Sequence, residues 1–117
     1  MPLNVYYNMQ KVANNLQVLR DYLNMPITIN SGYRSEEHNA KIGGAHKMIK
    51  GKRVETSSHC MGRAADIVVK GLDPVGVYAT IELLIEKGDM LQGGLGLYPN
   101  KGFVHYDIRG EKIRWKK

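Results

Sequence analysis

The stretch SSHCMGRAADIVV, Ser57–Val69, sets a histidine and an aspartate seven residues apart and runs into a β-branched end. Its second half, Arg63–Val69, is predicted as a strand, and Asp66 falls inside it. A carboxylate within a strand is costly without a partner, and a cation is the natural one. Ala64 and Ala65 leave space beside Asp66. Gly62 allows the chain to turn so that His59 folds back over that carboxylate.

A second stretch, GFVHYDIRG (Gly102–Gly110), is predicted as the last strand. Side chains alternate along a strand, so Phe103, His105, Asp107 and Arg109 share one face. Val104, Tyr106 and Ile108 share the other, which looks core-facing. Two neutral imidazoles and one carboxylate make a three-ligand zinc site with a fourth position open to water, the pattern of catalytic rather than structural zinc. His59, Asp66 and His105 fit that count. The other two histidines, His38 on a predicted short helix and His46 in a basic stretch, are read as solvated.

The rest of the chain supplies a frame for these two strands. Met9, Val12, Leu16, Leu19 and Leu23 recur at helical spacing and predict a helix over Asn8–Asn24, ended by Pro26. Ile27–Asn30 reads as a strand and Ser35–Ile42 as a short helix capped by Ser35. Ala45–Ser58 is polar, basic and without period, and reads as a loop. Asp73 and Pro74 open a helix that Gly88 closes. GGLGLYP brings back a glycine-rich strand, close enough to the last one to form a hairpin. The expectation is a single α+β domain over 1–117, with a small, mostly antiparallel sheet flanked by helices.

Composition limits the alternatives. The 117 residues are 43% hydrophobic and 24% charged, ordinary for one globular domain. No run approaches the ~18 apolar residues of a membrane span, so no membrane insertion is expected. The start, MPLNVYYNMQ, has neither the basic nor the apolar region of a secretory leader. A single cysteine, Cys60, excludes an intramolecular disulfide. The net charge of +6 gathers at His46–Glu55 and in the tail RGEKIRWKK, and suits an anionic partner.

These residues also carry a resemblance. The blocks SGYRSEEHNAKIGGA (Ser31–Ala45), SSHCMGRAADI (Ser57–Ile67) and GGLGLYPNKGFVHYDIRG (Gly93–Gly110), with Trp115 beyond, resemble the zinc D-Ala-D-Ala carboxypeptidase family of cell-wall metallopeptidases. That family shares its fold with the hedgehog signalling domain and includes murein endopeptidases and phage lysis enzymes. The resemblance implies zinc held by His59, Asp66 and His105. It implies that Arg34 holds a substrate carboxylate or polarises the scissile carbonyl, with Ser58 and Tyr98 as further substrate contacts. It implies peptidoglycan as the partner, with D-amino-acid-containing stems or cross-links cut as carboxypeptidase or endopeptidase. A monomer that stays in the cytoplasm until released, as phage lysis enzymes do, and then acts on the wall fits the absent leader.

Two departures from the family pattern stand out. Relatives carry an acid three residues before the last zinc-binding histidine, or a second histidine two before it; here Gly102 and Phe103 stand there. The general base is then Asp107, or Asp107 orients a ligand instead, and the sequence leaves both open. The stretch HKMIKGKRVET (His46–Thr56) is longer than the motif needs, and reads as a substrate-side loop or an exposed insertion. Three rivals differ in class. A cysteine peptidase would use Cys60 with His105 and Asp107, but adjacency to His59 turns Cys60 away from the metal side. A metal-holding domain of the same fold would bind the wall or serve a phage structure without catalysis. A nucleic-acid binder would rest on charge alone, with one Trp, one Phe and no recognised motif, so no nucleic acid is expected.

Overall fold

The structure is a computed structural model that describes residues 3–31, 46–49, 52–55 and 62–117, the backbone alone for 31, 46–49 and 52–55. The first helix, α1, spans Leu3–Leu23 and buries Val5, Val12, Leu16 and Leu19 along one stripe. It starts more than a turn before the expected Asn8, because Val5 continues that stripe towards the N-terminus. Asn24 then takes a left-handed φ of 52° and bonds its N–H to the Arg20 carbonyl at 2.7 Å, which closes the helix ahead of Pro26.

Strand β1 (Ile27–Ser31) follows. Strands β2 (His46–Ile49) and β3 (Lys52–Glu55) pair antiparallel as a two-stranded sheet of their own. This corrects the expected loop over Ala45–Ser58. Polar residues on both faces hide the strand alternation there, and the useful signal was the Lys50–Gly51 dipeptide between the paired Ile49 and Lys52. The predicted short helix Ser35–Ile42 lies outside the described residues.

Strand β4 is Ala64–Val69. The second described helix, α2, spans Pro74–Glu86, with the Asp73 carboxylate accepting from the Gly76 N–H at 2.8 Å and Pro74 in the first turn. Strands β5 (Gly94–Tyr98), β6 (Phe103–Asp107) and β7 (Ile113–Lys116) complete the chain. The predicted final strand thus stops at Asp107, and a further strand follows. Ile113 and Trp115 alternate with charged residues, and the charge of the tail masked that alternation.

The main sheet has the order β1-β4-β6-β5-β7. Its neighbours are antiparallel except β5 and β7, which run parallel, so the α+β sheet is mixed. Both described helices cover one face. Val12, Leu16 and Leu19 of α1 and Val77, Ile81, Leu84 and Ile85 of α2 close over Ala65, Ile67, Val69, Leu95, Val104 and Tyr106. Each large apolar side chain buried there contributes about 1.5–3 kcal/mol relative to exposure.

Two polar clamps fix the strands that matter. Asn15, buried on α1, accepts from the Leu91 N–H at 2.7 Å and from the Tyr106 hydroxyl at 3.3 Å, and that hydroxyl also donates to the Leu91 carbonyl at 2.8 Å. This ties β6 to α1 and to the loop after α2. Arg114 of β7 donates to both carboxylate oxygens of Glu82 at 2.8 Å and to the Gly93 carbonyl at 2.6 Å, tying the last strand to α2.

Candidate metal centre

The face of the sheet away from the helices carries the candidate site residues Asp66, His105 and Asp107. Asp66 and His105 are register partners across β4 and β6. Alternation sends Ala65, Ile67, Val104 and Tyr106 into the core and leaves Asp66, His105 and Asp107 on the opposite side. The predicted split of β6 into an apolar and a polar face therefore holds, but the polar face is also covered: His105 is 8% exposed and Asp107 fully buried.

The Nδ1 atom of His105 lies 3.1 Å from an Asp66 carboxylate oxygen, and its Nε2 lies 2.8 Å from an Asp107 oxygen. Asp107 accepts further bonds from the Gly94 N–H at 2.7 Å, the Arg109 N–H at 3.1 Å and the Arg109 Nε at 2.9 Å. Both of its oxygens are engaged. Burial alone would raise its pKa, but the bonds from His105, Arg109 and the Gly94 and Arg109 backbone outweigh it and hold the carboxyl well below the usual carboxylate range. Burial likewise opposes charge on His105, yet its hydrogen bonds to Asp107 and Asp66 leave the imidazole pKa raised.

The burial of Asp107 depends on glycine. A Cβ at Gly93 would sit 1.9 Å from the Asp107 carbonyl oxygen, and one at Gly94 would sit 2.3 Å from its carboxylate. The doublet lets β5 approach that closely. Gly62 takes φ +71°, and a Cβ there would lie 2.7 Å from the Val5 carbonyl oxygen, so the turn that leads into β4 requires glycine. Tyr98 stacks on Phe103 with centroids 4.4 Å apart, and its hydroxyl accepts from the Trp115 indole N–H at 2.9 Å.

The donor chemistry of the Asp66–His105 pair suits a divalent cation. Asp107 takes the proton on Nε2, which directs the other ring nitrogen at a carboxylate that can only accept. A proton or a cation must lie between them. Two donors at zinc bond lengths around a tetrahedral centre stand roughly 3.3 Å apart, close to the spacing found. Among the described residues no group of three His, Cys, Asp or Glu side chains is placed to hold a metal. A metal there would need a third ligand from elsewhere; the expected His59 lies outside the described residues, as do Arg34, Ser58, Cys60 and His38. The contributions of Gly93, Gly94 and Arg109 to the Asp107 seat, and of Trp115 beside His105, were not anticipated. The visible sequence signals were the GGLG run and an arginine two residues beyond Asp107, on the same predicted strand face.

Residues 3–107 match the family model described as Peptidase M15. A probable peptidoglycan L,D-endopeptidase, MepK, of Haemophilus influenzae is 30% identical over 102 residues, which is 87% of this chain and 49% of that protein. The chain spans about half the length of that curated relative. No solved structure matches it significantly. With nearly all of its described sheet inside the matched stretch, the chain belongs to the peptidase M15 family.

Proposed function

We propose that the chain is a zinc-dependent peptidoglycan peptidase of hedgehog/DD-peptidase fold, cutting peptide bonds in stems or cross-links that contain D-amino acids. One observation carries it: in a peptidase-family chain, a buried histidine has one ring nitrogen held by Asp107 and the other aimed at Asp66. The relative named as an L,D-endopeptidase supports the endopeptidase form.

Asp66 and His105, with His59, would hold the zinc. When bound, the metal supplies Lewis acidity, which acidifies water and polarises a carbonyl. The remaining work falls to the chain. Asp107 holds the Nε2 side of His105 and so keeps Nδ1 turned to Asp66, where a metal would take the place of the proton between them. Of its two expected roles, we assign Asp107 this orienting one, since its oxygens are saturated and shielded from a substrate. Arg34 would bind a substrate carboxylate or the developing oxyanion, with Ser58 and Tyr98 lining the substrate path.

A second reading, a metal-holding wall-binding domain without hydrolysis, draws on Gly102. That position, where relatives carry an acid, is a turn glycine at φ +80° with open space around it. Purified sacculi incubated with the protein, with and without chelator, separate the two when the soluble fraction is examined by mass spectrometry. The peptidase gives peptide fragments that chelator abolishes and zinc restores. Binding to sacculi with no fragments under any metal supplementation would overturn it.

A further inference from the structure

Asp66, His105, Gly96 and Trp115 are consecutive register partners on β4, β6, β5 and β7, so they form one line across four strands. Gly96 leaves its place in that line empty, and the indole of Trp115 fills it. A Cβ at Gly96 would lie 2.3–2.6 Å from three indole atoms. The indole reaches the His105 ring at a centroid distance of 5.0 Å and an interplanar angle of 47°. It is itself fixed, since Nε1 donates to the Tyr98 hydroxyl at 2.9 Å and Tyr98 is stacked on Phe103. The Arg109 guanidinium, bonded to Asp107, lies 5.8 Å from the indole centroid.

A hydrogen bond to Nε2 holds one atom of the imidazole but not its plane. The ring torsion of histidine is broad, so the ring can pivot and carry Nδ1 away from Asp66. A rigid aromatic wall beside the ring removes that freedom before a metal arrives. We propose that Trp115 is a positioning residue for metal capture, holding the His105 plane so that Nδ1 stays aimed at Asp66. Strand β7, which lies beyond the stretch matched to the family, is on this account part of the site. The proposal rests on the zinc reading above.

Zinc affinity, measured by competition with a chromophoric chelator, tests it without recourse to activity. Trp115→Ala is expected to weaken zinc binding about tenfold or more, the size seen when groups that orient a ligand are lost, and Trp115→Phe to weaken it less. Gly96→Ala keeps the indole but displaces it, so it should weaken zinc binding as well. It should also shift the protein's emission, because Trp115 is the sole tryptophan. Tyr106→Phe, on the opposite face of β6, serves as the control: it lowers the unfolding midpoint and leaves zinc affinity alone. If Trp115→Ala fails to fold, Gly96→Ala and Trp115→Phe carry the decision. Wild-type zinc affinity in the folded Trp115 and Gly96 variants would overturn the positioning role alone. Absence of zinc binding in the wild-type protein would overturn both this role and the zinc reading.

Discussion

Asp66 and His105 face one another across the β4–β6 ladder, carboxylate oxygen to Nδ1 at 3.1 Å, while the far nitrogen of the same ring is held by Asp107. On the proposed reading one imidazole between two carboxylates divides the labour: the Asp107 side orients the ring and the Asp66 side captures a cation. The consequences differ for each residue around the ring.

Asp107→Asn separates orientation from base catalysis. As an orienting residue, Asp107 sets the tautomer and basicity of His105, so the amide should weaken zinc affinity by ~10–100-fold. Zinc-saturated protein should keep most of its turnover. A turnover loss with unchanged zinc affinity would mark Asp107 as the base.

Tyr106→Phe removes the hydroxyl that donates to the Leu91 carbonyl and to Asn15. It removes a part-buried hydrogen bond to the Leu91 carbonyl, which costs about 0.5–1.5 kcal/mol. Urea unfolding should show the midpoint drop.

Gly62→Ala puts a methyl group 2.7 Å from the Val5 carbonyl oxygen at a φ of +71°. Strain of this kind costs about 1–3 kcal/mol, and α1 must shift from the start of β4 to relieve it. Thermal unfolding should show a lowered midpoint, and an unchanged one would contradict the turn geometry.

The Glu82–Arg114 pair gives a pH dependence with a definite sign. The hydrogen bond from Arg114 lowers the Glu82 pKa below its ordinary 4.5 against the opposing effect of burial. A depressed carboxyl pKa stabilises the fold above the unfolded value, and the contribution is lost as pH falls through the folded value. The pair is partly exposed, so it is worth about 1 kcal/mol or less. Glu82→Gln should therefore be less stable than wild type at pH 7, with the gap closing as pH falls below 4.5 and through the depressed folded value.

How much of this was legible depends on where the signal lay. Asp66 and His105 could be paired from alternation and spacing, because a carboxylate in a strand demands a partner and few histidines were on offer. Asp73, Pro74 and Gly88 announced α2 for local reasons of capping. Strand β7 was hidden because Lys and Arg dominate Ile113–Lys116, and its place beside β5 is a long-range pairing that no local pattern encodes. The place of Trp115 beside His105 was hidden for the same reason, whereas Arg109 bonds Asp107 two residues away and was open to a local reading. Gly93, Gly94 and Gly96 looked like a loose, glycine-rich strand, whereas two seat Asp107 and the third seats an indole.

Zinc content after dialysis, measured by elemental analysis on wild-type protein and on Asp66→Ala, bears most directly on the central claim. One zinc per chain in the wild type and a loss of it in Asp66→Ala, with both proteins folded, is the predicted result. Stoichiometric zinc retained by folded Asp66→Ala would contradict the assignment of the Asp66–His105 pair as the metal-holding half of the site.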